Sequence, residues 1–355
     1  MSKQPIESPP ERPSPLGMIT RDPQLNDMVE RLALTARSLI TLPVEEQVLR
    51  FSRTELELVR RNFSRTIIQG EDKLHRLCRL LSESLLEGDF ELSSVVIGEV
   101  AASKERFTLV QQLDADELST QTDLDLGNRQ LGRIRFAYEG SWSEALLVAN
   151  FVEYQPLTVN SWGIHKLISR IKAEEEIWNK VVDEIFETDK LLAQDKQLKH
   201  LSRYVKDLFG IKILVSQAEH ARALQKHLKS LVWSPDVLLA AGVEPDSSNT
   251  SLEFLEVKDY IRGKESGWSA LKSVVRWWDA TIEIQIQPMR NYLQERERLT
   301  KESHAGFKFR REELRRELGK KIPLYGFYRK LLKWLFLQPE SSPPHFPGIK
   351  VVLGA

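Results

Sequence analysis

Hydrophobic and polar positions alternate most clearly late in the chain, where Thr281–Gln287 reads T-I-E-I-Q-I-Q. A strand turns successive side chains to opposite faces, so Ile282, Ile284 and Ile286 point one way and Glu283, Gln285 and Gln287 the other. Ser269–Trp278 is also strand-like, and Trp278-Asp279-Ala280 is short enough to close a hairpin between the two runs. On periodicity alone this predicts a half-exposed antiparallel sheet, with an isoleucine face on the core and a polar outer face.

Other stretches follow the helical period. Leu25, Met28, Val29, Leu32 and Leu34 predict a helix over 23–42, and Leu74, Leu77, Cys78, Leu80 and Leu81 one over 44–87. From Phe90 the pattern shortens. Val95–Ile97, Phe107–Val110, Gly132–Tyr138 and Ala145–Val148 predict short strands or mixed elements, separated by a polar run from Asp114 to Asn128. Residues 166–190 predict a strong helix with Leu167, Ile171, Ile177, Val181 and Ile185 in one stripe. Residues 196–208 predict another, leading into a buried-type strand at Gly210–Val215. A helix over 217–230, a Ser-Pro turn with a short helix before Gly242, a loop over 244–250 and a segment over 252–261 follow. A long charged helix is expected over about 289–318. In Leu324–Pro339, Leu324, Phe327, Leu331, Trp334 and Leu335 keep helical spacing opposite Arg329, Lys330 and Lys333. That helix either docks on the protein's own core, the preferred reading, or lies on a membrane surface through 324–337.

With 355 residues the chain has room for two or three domains. Lys plus Arg and Asp plus Glu both number 51, for a net charge of zero. This argues against a whole-protein grip on nucleic acid while allowing a local basic patch. Arg310, Arg311, Arg315 and Arg316 form such a patch. It reads as a solvated helix end in preference to an RNA contact. A single cysteine, Cys78, excludes an internal disulfide framework or a cysteine-based zinc site. No segment reaches the roughly 18 uninterrupted apolar residues of a spanning helix, and no basic region followed by an apolar run opens the chain. A cytoplasmic protein is expected. The acidic run at Asp114, Asp116 and Glu117 lacks the spacing of a calcium loop and reads as solvated.

Candidate chemistry gathers around the alternating strand. Lys258, Arg262 and Lys264 put three cations upstream of it, beside Gly267, and cations next to a carboxylate on one sheet face suit a polyphosphate with a metal ion. Arg170 and Lys172 diverge on a helix and converge only where the chain is still entering it. Asp207, three residues before Gly210, is a weak signal by itself.

Together, three separated pieces resemble the synthetase domain of the RelA/SpoT-type alarmone synthetases. The first is S-R-I-K-x-x-x-x-I-x-x-K, Ser169–Lys180, similar to that family's ATP-contacting Arg-x-Lys. The second is D-L-F-G-I-K-I, Asp207–Ile213, similar to D-x-x-G-I-R-I. The third is K-D-Y-I…K-E-S-G-W-S-A-L-K followed by E-I-Q-I-Q-P, similar to D-Y-I…P-K-x-x-G-Y-x-S-x-H followed by E-I-Q-I-R-T. The resemblance covers about 155–318. It implies an α+β fold, a mixed β-sheet flanked by helices of the nucleotidyltransferase kind, and says nothing about 1–150, where the residue pattern itself predicts a helical then mixed domain over 17–150. A disordered Pro-rich tail over 1–16 and a C-terminal amphipathic helix with a loose end over 319–355 complete the expected organisation.

The implied reaction moves the β,γ-pyrophosphate of ATP to the 3′-hydroxyl of GDP or GTP. The resemblance assigns catalysis and Mg2+ to Asp207 and Glu283, and ATP phosphates to Arg170, Lys172 and Lys180. The acceptor nucleotide falls to Lys258, Lys264, Trp268, Lys272 and Gln285, with Trp268 stacking in place of the family's tyrosine. Departures fall on the acceptor side. Lys272 stands where the family has histidine, Lys212 where it has arginine, and Gln287-Pro288 where it has R-T. Arginine to lysine loses bidentate phosphate recognition. ADP, ATP or a tRNA 3′-end as acceptor, and a non-catalytic sensing or partner-binding module, stay open alongside GDP/GTP, as does homo-oligomerisation.

Overall fold

In the computed structural model, residues 14–41, 47–103, 105–114, 130–172, 174–187, 204–261, 269–294, 304–337 and 341–354 are described. In chain order the elements are α1 (Pro23–Thr41), β1 (Gln47–Ser52), α2 (Arg53–Leu85), β2 (Phe90–Val100), β3 (Arg106–Leu113), β4 (Arg135–Tyr138), β5 (Ser141–Pro156) and β6 (Ile164–Ile171). Then come α3 (Glu174–Ile185), β7 (Phe209–Val215), α4 (Ala218–Ser230), α5 (Pro235–Ala240), β8 (Glu253–Asp259), β9 (Leu271–Trp277), β10 (Ala280–Pro288), α6 (His304–Lys321), α7 (Pro323–Phe336) and β11 (Ile349–Gly354). Residues 289–294 are also helical.

The chain divides into two compact units. One holds residues 1–63, 178–205 and 318–355, the other 64–177 and 206–317. This differs from the sequence expectation of boundaries at 150/155 and 318/319. Strands β2–β5 are not a separate N-terminal domain. They extend the same sheet as the later strands, because β5 hydrogen-bonds β6 from Phe151↔Arg170 to Tyr154↔Leu167.

The 64–177/206–317 unit is built on a nine-stranded sheet of order β3-β2-β5-β6-β7-β10-β9-β8, with β4 on β5. Only β7 and β10 run parallel, so the sheet is mixed. The expected α+β class holds. The expected hairpin forms as well: Trp278 and Asp279 take left-handed φ of 47° and 61°, as a two-residue turn between β9 and β10 demands. The isoleucine face of β10 is covered by helices. Gln225 of α4 donates to Ser273 Oγ at 3.1 Å, and Ser273 lies opposite Ile284. Phe209, opposite Ile282, packs under Gly70 of α2.

The polar face of β10 is not an exposed outer face. Glu283 is 3% and Gln287 0% exposed, so the half-exposed expectation fails: both faces of this central strand are covered. Ordinary edge pairing cannot do this. It is possible for polar residues only because they find charged and hydrogen-bonding partners across the sheet.

In the other unit, β1 and β11 form a two-stranded parallel sheet, Gln47↔Ile349 to Ser52↔Gly354. That corrects two expectations. Residues 44–87 are not one helix, because 47–52 pair as a strand, and within the end expected to be loose 349–354 form a strand. α7 docks by its apolar side, burying Leu324, Phe327, Leu331, Trp334 and Leu335 as the helical spacing requires. Tyr328 Oη donates to Leu32 O at 3.1 Å, Tyr325 Oη to Asp183 Oδ1 at 2.6 Å, and Trp178 stacks on Phe336 at 3.7 Å between centroids. The alternative of a membrane-surface helix would need these residues exposed. No helix among the described residues is long and apolar enough to cross a membrane. Ser14 and Leu16, assigned to the Pro-rich tail, are buried. Residues 1–13 lie outside the described residues.

The remaining corrections concern helices. Residues 166–190 split into strand β6 and helix α3, and 204–208 are not helical. Positions 188–203 lie outside the described residues. In β6 the β-branched Ile164, Ile168 and Ile171 favour an extended backbone, and pairing on both sides decides the matter against the helical stripe.

Gly70→Ala sets two effects against each other. Alanine gains about 1 kcal/mol of helix propensity. Its methyl, however, would lie 2.1 Å from Phe209 Cζ, and relieving such overpacking costs about 1–3 kcal/mol. The expected result is a lower urea midpoint at unchanged slope. A midpoint at or above wild type would mean that Phe209 yields freely.

Candidate active site

Register alone places Arg170, Glu283, Gln285, Lys272 and Lys258, half of the predicted site residues, on one face of the sheet. In one cross-strand row Arg170 lies opposite Gly210, Gly210 opposite Glu283, Glu283 opposite Val274 and Val274 opposite Glu256. Two residues along, Lys212, Gln285, Lys272 and Lys258 form the next row of that face. Because alternate residues share a face, both rows point the same way.

The helix-start reading of Arg170 and Lys172 is replaced by a strand end. Arg170 is on β6, and Lys172 continues the ladder by donating its N–H to Leu208 O at 2.9 Å. Two residues apart on an extended chain, they converge, which a helix would have prevented. The Arg170 side chain runs over Gly210: a Cβ built there would sit 3.6 Å from Arg170 Cγ and Nε. That is ordinary van der Waals contact, so the arginine lies directly over this position of β7. Lys172 Nζ is paired with Asp207 Oδ2 at 2.6 Å, with both side chains largely buried.

Glu283 is ion-paired with Lys272 from the neighbouring strand. Gln285 Nε2 donates to Glu283 Oε1 at 2.5 Å. Lys212 stands over the ring of Tyr292, 5.3 Å from its centroid. Lys258 Nζ lies 3.0 Å from Glu256 Oε1, and Lys206 pairs with the other oxygen of the same carboxylate. Of the remaining sequence candidates, Lys180 is on α3 in the other unit. Lys264 and Trp268 lie outside the described residues.

Two members of this face were missed from sequence, Lys206 and Glu256. A β-bulge explains the second. Register shifts between Phe254 and Glu256, so Leu255 is the extra residue. Glu253, which pairs with Arg276 at 3.3 Å, and Glu256 therefore share a face despite their odd spacing. The legible signal was Glu256-x-Lys258, a carboxylate and an ammonium two apart on a strand.

Asp207 and Glu283 supply hard carboxylate oxygens of the kind Mg2+ takes together with phosphates. Each already carries a lysine ammonium, so phosphate oxygens would have to complete the coordination. Among the described residues no group of three or more His, Cys, Asp or Glu is assembled for a metal. By donor type each carboxylate suits Mg2+ together with phosphate oxygens.

No family model matches the sequence, and no curated protein does. Among solved structures the chain is similar to small alarmone synthetase 1 from Bacillus subtilis, at 15% identity and a TM-score of 0.27, over 50% of this chain and 77% of that one. The same synthetase bound to its product pppGpp gives 15% and 0.24 over 50% and 76%. So does smu.1046c from Streptococcus mutans.

Burial pushes the Glu256 carboxyl up, but hydrogen bonds and charge from Lys206 and Lys258 outweigh it and hold the pKa below its ordinary 4.5. A carboxylate whose folded-state pKa is depressed stabilises the fold fully above its unfolded value and loses that contribution as pH falls through the folded value. Thermal melts from pH 7 to 3 should therefore show a loss of stability below 4.5 that is smaller in Glu256→Gln. Parallel curves for the two proteins would contradict the pairing.

Proposed function

We propose that this chain is an ATP-dependent pyrophosphokinase that transfers the β,γ-pyrophosphate of ATP to the 3′-hydroxyl of GDP or GTP. The observation that carries this reading is the convergence of Arg170, the Lys172–Asp207 pair and the Glu283–Lys272–Gln285 group on one sheet face. The described parts of the three sequence pieces that support it are Arg170 and Lys172, Asp207–Ile213, and Leu271–Gln287.

In this reading the 3′-oxygen of the acceptor attacks the β-phosphorus of ATP. The bond from that phosphorus to the α,β-bridging oxygen breaks, and AMP leaves with the bond's electrons. Glu283, buried beside Lys272, accepts the hydroxyl proton. Arg170 and Lys172 hold ATP phosphates. Lys258, Lys272 and Gln285 hold the acceptor, together with Lys264 and Trp268, which lie outside the described residues. Asp207 and Glu283 would hold Mg2+, which supplies charge neutralisation on the phosphates. The remaining electrostatic work is positioning: cations fixed in advance where negative charge develops.

A second reading is favoured by one observation. Both candidate metal carboxylates are held by lysines, at Lys172–Asp207 and Lys272–Glu283, as suits a module that binds a nucleotide without turnover.

Purified chain with labelled ATP, Mg2+ and GDP or GTP should yield AMP and a 3′-pyrophosphorylated nucleotide in equal amounts. Glu283→Ala should lower the rate by at least about 100-fold, the usual contribution of a general base. Nucleotide binding without AMP release, unchanged in Glu283→Ala, would favour the second reading. Label on tRNA or on ADP with none on GDP or GTP would replace the acceptor.

A further inference from the structure

The Lys206–Glu256–Lys258 cluster has no part in the scheme above beyond Lys258. Glu256 projects from the same face as Glu283, one strand removed through Val274, and its side chain is 2% exposed. A carboxylate this buried would normally be neutralised by one partner. Here two ammoniums, Lys206 and Lys258, take one oxygen each. By themselves the three side chains sum to one positive charge, and a single carboxylate holds both lysines. Lys258 in turn lies opposite Lys272. Among the described residues of this part of the face, Arg170, Lys172, Lys206, Lys212, Lys258, Lys272 and Arg276 outnumber Asp207, Glu253, Glu256 and Glu283, a balance that favours a polyanionic ligand.

Lys206 also directly precedes Asp207. Its tie to Glu256 on β8 and Asp207's tie to Lys172 beyond β6 anchor the two neighbours to opposite sides of the β7–β10 pair.

We propose that Lys206 is a further phosphate-binding residue, paired with Lys258 at the β8 edge of the sheet face, and that Glu256 is its positioning residue. The ligand is the polyphosphate of the acceptor nucleoside di- or triphosphate. The assignment rests on the pyrophosphokinase reading for calling this nucleotide the acceptor. The geometry of the clamp stands without it.

Charge and position predict opposite results in one variant. Glu256→Gln makes the cluster more positive, so a field effect alone would tighten binding of any polyphosphate. A positioning role predicts weaker binding, because the two ammoniums lose their spacer and repel.

The test is calorimetric titration of the full chain with GDP, GTP, ATP and inorganic tripolyphosphate. Wild type is compared with Lys206→Met, Lys206→Arg, Glu256→Gln and Glu256→Asp, with thermal melts to verify folding. Lys206→Met, which keeps the stem, is expected to weaken GDP and GTP binding about tenfold, the scale of one charge-assisted hydrogen bond. ATP binding should be little affected, and Lys206→Arg should restore part of the loss. Glu256→Gln should weaken GDP and GTP binding despite its added charge, and Glu256→Asp should recover part of it.

Tighter binding in Glu256→Gln overturns the positioning role. Wild-type affinity for GDP and GTP in folded Lys206→Met overturns the subsite. A loss confined to ATP moves it to the donor. Wild-type protein that binds none of the nucleotides overturns the pyrophosphokinase reading itself, a result distinct from any of these.

Discussion

The site depends on the pairing of β7 with β10. It is the one parallel contact in an otherwise antiparallel sheet, and its register sets Glu283 against Gly210 and Gln285 against Lys212. A slip of one residue would send every polar side chain of β10 into the helices and every isoleucine onto the charged face. The two faces are therefore mutually enforcing. Phe209 and Ile282 under α2, with Ile284 near α4, hold the register through apolar burial. The carboxylates are thereby carried to fixed positions on the far side.

That far side is buried, yet ionic. Isolated charges in such a place would be costly, and the protein answers with pairs drawn from adjacent or nearby strands: Lys272 on Glu283, Lys172 on Asp207, Lys206 and Lys258 on Glu256, Lys166 on Glu153. The use of lysine in these pairs, where arginine would give a planar fork, leaves single-point contacts that are easily re-formed around an incoming phosphate. The lysines at 212 and 272, departures from the resembled pattern, belong to this scheme. Lys272 is the partner of Glu283, and Lys212 rests on Tyr292.

Much of this was legible in the chain. The alternation of T-I-E-I-Q-I-Q, the two-residue turn at Trp278-Asp279 and the strand from Gly210 are local signals, and each survives in the structure. The reading failed where pairing partners are distant. Leu167 and Ile171 satisfy a helical stripe as well as they satisfy a strand, and only β5 and β7 on either side make β6 extended. Gln47–Ser52 is drawn out of helix by β11, which no window around it contains. Glu256 was hidden by the extra residue Leu255, since a bulge breaks the parity on which face assignment rests. Burial of Gln287 and Glu283 was invisible because it is a property of what lies above the sheet, which the strand's own period does not encode.

The pairing of β1 with β11 bears on the order in which the protein is made. One unit draws on residues 1–63, 178–205 and 318–355, the other on 64–177 and 206–317. A ribosome therefore delivers every segment of the large sheet before it delivers α7 or β11. The unit that begins first is the last to be completed, and until then β1 and the apolar residues of α1 wait without their final partners. Contacts this far apart in sequence close slowly. Leu32 and Phe51, both buried, thus reach their pairings with Tyr328 and Leu353 only once the latest of these segments has been made.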